Sequence, residues 1–147
     1  LQTIMDIVDS PSNGICFCTG SLGIRPDNDL VGMVARFHDH IHAVHLRNIQ
    51  REDNGIFTES LHLQGNVDMA SVVEALLSIE KMQNDETQLL PFRPDHGHTI
   101  LDNLNQPCSV TPGYSLLGRM RGLAELRGLQ MGLLHHRSRK VNHAKHH

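Results

Sequence analysis

Ile15-Cys16-Phe17-Cys18, closed by Thr19-Gly20-Ser21, is followed by a helical stripe at Leu30, Met33, Val34 and Phe37 and then by Ala43-Val44-His45-Leu46. The two short apolar runs have strand length, and the stripe between them keeps the 3.6-residue period, with Asp27, Asn28 or Asp29 available as its N-cap. Strand, helix, strand in that order is a βαβ unit, whose strands lie parallel.

The alternation extends outward. Leu1, Ile4, Met5 and Val8 form the stripe of a short helix that Pro11-Ser12-Asn13-Gly14 ends. Arg47 to Val67 reads as a polar connection of about twenty residues, a length that points to function. Asp68 opens the clearest helix, with Met69, Val72, Val73, Leu76 and Leu77 on one face, and Gln83 to Thr87 is a turn. Leu89-Leu90-Pro91-Phe92 is the third strand candidate, and Asp95-His96-Gly97-His98 follows it. Beyond Pro112-Gly113-Tyr114, the last helix is expected over Leu116 to Leu134, weakened by Gly118, Gly122, Gly128 and Gly132. Five of the twelve histidines crowd residues 135–147, which are expected to form a disordered His-rich tail.

These elements predict an α/β chain holding about three βα units. A closed (β/α)₈ barrel needs roughly 200 residues or more, so the chain is a small open sheet or the closing portion of such a barrel. The opening at Leu1 favours the second, with residues 1–134 as the C-terminal part of a barrel domain.

Composition narrows the function. Thirteen basic and sixteen acidic side chains give no field for gripping a phosphate backbone, which argues against nucleic acid. No apolar run approaches the ~18 residues of a membrane span. Three cysteines make no disulfide framework, so a reducing cytoplasm is the expected setting.

Each strand ends near a residue able to bind a metal ion: Cys18, His45 and Asp95. In parallel α/β sheets the C-terminal strand ends share one rim, where ligands collect. Gaps of 27 and 50 residues are too long for a local zinc knuckle and suit one ligand per βα unit. A thiolate, an imidazole and a carboxylate suit Mn²⁺, Fe²⁺ or Zn²⁺ better than Ca²⁺ or Mg²⁺. Taken singly, Cys18 also reads as a small buried hydrophobe, His45 as a core histidine and Asp95 as a turn residue. His96 is placed as a general acid or base, or as an exposed loop histidine. Arg47, Asn48, Glu59 and His62 suit a polyhydroxy or carboxylate ligand, or a solvated loop. Tyr114, the only tyrosine, is a proton donor or a turn anchor.

Phe17-Cys18-Thr19-Gly20-Ser21, Arg25-Pro26-Asp27-Asn28-Asp29-Leu30, His45-Leu46-Arg47-Asn48, Arg51-Glu52-Asp53-Asn54, Gly65-Asn66-Val67-Asp68-Met69, Arg93-Pro94-Asp95-His96-Gly97-His98 and Pro112-Gly113-Tyr114 with Gly118-Arg119 and Gly122-Leu123-Ala124-Glu125 together resemble mannonate dehydratase. The resemblance runs from about Ser12 to Leu134. It implies a TIM barrel similar to xylose isomerase, Mn²⁺ or Fe²⁺ as cofactor, and removal of water from D-mannonate to give 2-keto-3-deoxy-D-gluconate. By motif, Cys18, His45 and Asp95 match metal ligands, His96 and Tyr114 match an acid/base pair, and a further metal-binding histidine of the family falls upstream of Leu1. Arg47 is the expected partner of the substrate carboxylate, and a homo-oligomer is the expected state of the complete enzyme. The rival readings are a metal-dependent sugar isomerase on the same barrel and an inactive truncated fragment. The His-rich tail matches no family feature.

Overall fold

In the computed structural model, strand β1 (Ile15–Cys18) lies parallel to β2 (Ile41–His45), with Cys16 opposite Ala43, Phe17 opposite Val44 and Cys18 opposite His45. The structure describes residues 1–53, 55–82, 90–101, 111 and 113–144 of the chain. The turn expected at Gln83 to Thr87, the first residue of the third strand candidate, Pro112 and residues 145–147 of the tail lie outside the described residues.

Two units are distinguished, residues 1–95 and 96–147. In the first, helix α1 (Gln2–Ile7) precedes β1, helix α2 (Thr19–Gly23) follows it, and helix α3 (Leu30–Arg36) leads through a 3-10 turn at His38–His40 into β2. The hairpin β3 (Asn48–Arg51) and β4 (Phe57–Ser60) comes next, then helix α4 (Met69–Met82) and strand β5 (Phe92–Arg93). The main sheet has the order β1-β2-β5, all parallel, with His45 opposite Arg93. Alternation along β1 and the end of β2 separates the faces: Ile15, Phe17 and Val44 are buried, whereas Cys16, Cys18 and His45 project to the other side, and Ile41, before the register shift, is buried as well. Helices α3 and α4 pack on each other, contributing Leu30, Val34, Val72 and Val73 to the core. Asp29 caps α3 by accepting from the Gly32 amide at 2.9 Å, and Asp68 caps α4 by accepting from Ser71 at 3.0 Å. No helix among the described residues is long and apolar enough to cross a membrane.

Three expectations are corrected here. Residues 47–67 are not a featureless connection, because β3 and β4 pair antiparallel, Asn48 opposite Ser60 through Arg51 opposite Phe57. Only Ile49 of β3 is apolar, so β3 carries no hydrophobic alternation. Among the described residues of the third strand candidate, Leu90 and Pro91 stand outside the strand, which begins at Phe92, since Pro91 lacks an N–H and enters the ladder only through its carbonyl, which accepts from Val44 at 2.9 Å.

The third correction concerns the second unit. Gly97 forms a parallel bridge with Tyr114, and helix α5 runs from Leu116 to Ala144, so residues 135–144 are helical and not a frayed tail. Histidine enrichment is no helix breaker. Nothing between Gly132 and Ala144 is Gly or Pro, so no residue there breaks the helix.

Candidate metal centre

The pairing of Cys18 with His45 and of His45 with Arg93 sets the C-terminal ends of the three parallel strands level. Asp95 follows two residues later with φ at 66°, a left-handed conformation in which Asp is among the better tolerated side chains. There its Oδ1 lies 3.4 Å from His45 Nδ1 and 3.2 Å from the Arg93 guanidinium. One donor atom each from Cys18, His45 and Asp95 falls within 4.8 Å of the others. Donors around a small dication stand roughly 3–4 Å apart, given bonds of about 2.0–2.3 Å. Small side-chain rotations therefore close this set on an ion. Asp95 is buried, and Cys18 and His45 are half-buried, as a site shielded on the sheet side requires.

The thiol end is held by α2. Ser21 directs its amide at Cys18 Sγ from 3.5 Å and its hydroxyl from 3.3 Å, both suited to a thiolate acceptor. Cys16, two residues back on the same face, differs: burial pushes its thiol up, Cys18 and Asp95 add to this, and Arg93 opposes it. Thr19, fully buried, donates its hydroxyl to the carbonyls of His45 and Arg47, at 3.1 and 2.6 Å. Gly20 leaves room for Arg47, since a Cβ there would sit 2.1 Å from Arg47 Nε.

The expected substrate-binding residues divide. Arg47 lies mostly buried, its guanidinium 3.6 Å from Glu59 and its Nε without a hydrogen-bond partner among the described residues. Asn48 is a correction. Its side chain is fully buried, donates to the carbonyls of His62 and Val67 at 2.9 and 3.0 Å, and accepts from the amides of Ile49 and Val67 at 2.9 and 3.0 Å. Two donors and two lone pairs are thereby used, leaving none for a ligand. His62 is corrected likewise: it is 4% exposed, and its Nε2 bonds the Pro94 carbonyl at 3.1 Å.

Within the second unit, His96 and Tyr114 meet: His96 Nε2 is 3.2 Å from the Tyr114 hydroxyl, and the rings lie 5.0 Å apart, tilted by 59°. The Gly97–Tyr114 bridge brings them together, and the Arg119 guanidinium sits 5.8 Å over the Tyr114 ring. Sequence reasoning passed over Thr19, Arg93 and Arg119 as site residues. For Arg93 a signal existed, because it stands two residues before Asp95, at the same rim of the sheet.

The parallel sheet thus carries a thiol, an imidazole and a carboxylate together at its C-terminal rim, a donor set able to hold a metal ion. The D-mannonate dehydratase (UxuA) family model matches residues 1–140, and the chain belongs to that family. It is 54% identical over 136 residues to a mannonate dehydratase of Marinomonas sp. (strain MWYL1), covering 90% of this chain and 34% of that protein. A mannonate dehydratase of Saccharophagus degradans is 54% identical over 131 residues, covering 87% of this chain and 33% of its own length. The crystal structure of mannonate dehydratase from Streptococcus suis serotype 2 superposes with a TM-score of 0.77 at 29% identity, over 93% of this chain and 37% of that one. The chain thus spans about a third of the length of the curated relatives it matches.

Proposed function

We propose that this chain supplies the cation-binding and proton-transfer residues of a D-mannonate dehydratase, as three βα units of a (β/α)₈ barrel in a cytoplasmic enzyme. The observation that carries the reading is the convergence of Cys18, His45 and Asp95. The three neighbouring parallel strands and the likeness to about a third of a solved mannonate dehydratase support the barrel. Cys16 and Cys18, the two free cysteines among the described residues, suit a reducing compartment.

Cys18 and Asp95 offer two negative charges and His45 a neutral nitrogen, a set that fits Mn²⁺ or Fe²⁺. When bound, such an ion would polarise the carboxylate and hydroxyl oxygens of a sugar acid and offset the charge that grows as C2 loses its proton. His96, next in the chain after Asp95, and Tyr114 divide the proton transfers. One takes the C2 proton, the other protonates the C3 hydroxyl, the C3–O bond breaks, and water leaves. The enol that remains rearranges to the 2-keto-3-deoxy acid. Of the two arginines, Arg93 offers a more exposed guanidinium beside Asp95 than Arg47 does beside Glu59, which makes it the better receptor for the substrate carboxylate. Family membership favours dehydration over aldose isomerisation on the same barrel.

The test is a chimera in which residues 1–140 replace the corresponding third of the Marinomonas relative. With Mn²⁺ it is expected to turn D-mannonate into the keto-deoxy acid, and C18S, H45A and D95N versions are expected to lose at least about 100-fold in rate. A folded chimera that converts aldoses to ketoses and leaves mannonate intact contradicts the reading.

A further inference from the structure

We propose that Thr19 and His62, neither of them a cation ligand, are positioning residues that preset the spacing of Cys18, His45 and Asp95; this rests on reading those three as ligands to one ion. Each residue ties together two stretches of chain that the ligand set needs at a fixed separation. Thr19 directly follows Cys18, and its one hydroxyl proton is shared between the carbonyls of His45 and Arg47. The sulfur and the imidazole thus come from strand ends joined by a side-chain tether as well as by the ladder. A valine in its place fills the same volume but leaves two carbonyls short of a donor.

His62 acts on the third ligand. It lies just past β4, far from Pro94 in sequence, and its ring is nearly inaccessible, which removes it from contact with substrate. A carbonyl only accepts, so Nε2 carries the proton in the bond to Pro94. That bond anchors the peptide entering Asp95, whose left-handed backbone turns the carboxylate back toward His45. Released from the anchor, Asp95 is free to relax to an extended conformation and carry its carboxylate away. Side chains that orient metal ligands typically change affinity about 10–100-fold when lost.

The test titrates the full chain and its variants with Co²⁺, following the thiolate-to-cobalt absorption against a competing chelator, alongside urea denaturation of the ion-free proteins. T19V and H62L are each expected to weaken cobalt binding about 10–100-fold. T19S, which keeps the hydroxyl, and H62Q, which keeps an N–H donor, are expected to stay within about threefold of wild type. The thiolate band persists throughout, because Cys18 remains a ligand. Wild-type affinity in T19V and H62L, or equal losses in T19S and H62Q, overturns the inference alone. A wild-type chain that takes up no cobalt overturns the inference together with the ligand reading beneath it.

Discussion

His45 Nδ1 stands 3.4 Å from Asp95 Oδ1, longer than a good hydrogen bond, while Arg93 holds the same oxygen from 3.2 Å. The carboxylate is therefore shared between an imidazole and a guanidinium and strongly committed to neither. D95N removes the charge but keeps a side chain that tolerates positive φ. We expect its unfolding free energy to stay within about 1 kcal/mol of wild type, as for substitutions that leave no strain, while cobalt affinity falls more than about 100-fold. Equal cobalt affinity in D95N contradicts this.

Asn48 holds the entry to β3 against the chain around Val67 through four hydrogen bonds. N48A strands buried backbone groups, each costing about 1–3 kcal/mol, partly relieved by relaxation. A loss of about 3 kcal/mol in urea denaturation is expected. A loss below about 1 kcal/mol shows that the network is dispensable.

Asp68 connects acid stability to the cap of α4. Hydrogen bonds from Ser71, side chain first and backbone second, hold its carboxyl below the ordinary 3.8. A depressed folded value means that the stabilisation is fully present above the unfolded value near 3.8 and fades as pH falls through the folded one. D68A should cost about 1 kcal/mol at neutral pH and flatten the acid limb of stability against pH below about 4. An unchanged acid limb in D68A removes Asp68 from that role.

Gly97 permits the backbone approach that pairs His96 with Tyr114: a Cβ there would meet Arg119 N at 2.2 Å and Gly118 C at 2.4 Å. With one tyrosine and no tryptophan, the chain's intrinsic emission reports Tyr114. G97A and H96L are each expected to change that emission by separating the rings or removing the imidazole. Spectra identical to wild type in both contradict the contact.

Much of this was legible before any coordinates, for physical reasons that differ by element. β1, α3, β2 and the body of α4 follow from burial, which leaves apolar periodicity in the sequence at Phe17, Val34, Val44 and Val72. The convergence of Cys18, His45 and Asp95 was legible because parallel strands bring their C-terminal ends to one rim. The β3–β4 hairpin was not read, since Asn48-Ile49-Gln50-Arg51 buries its polar Asn48 through hydrogen bonds that no pattern announces. Its one available signal was the Asn-Gly pair at 54–55, a strong hairpin turn sequence. Asn48 and His62 were read as ligand contacts because polar residues in a long connection resemble a binding loop; tertiary hydrogen bonding turned them inward. The helical reach of α5 past Leu134 escaped because composition was weighed above the absence of a breaker.

Sulfur, nitrogen and oxygen from Cys18, His45 and Asp95 are proposed to meet on one cation. X-ray absorption of the Zn²⁺-loaded chain measures this directly. The expected first shell contains one sulfur at about 2.3 Å beside nitrogen and oxygen scatterers, and the sulfur disappears in C18S. A shell of oxygen and nitrogen alone in the wild type, unchanged in C18S, contradicts the claim.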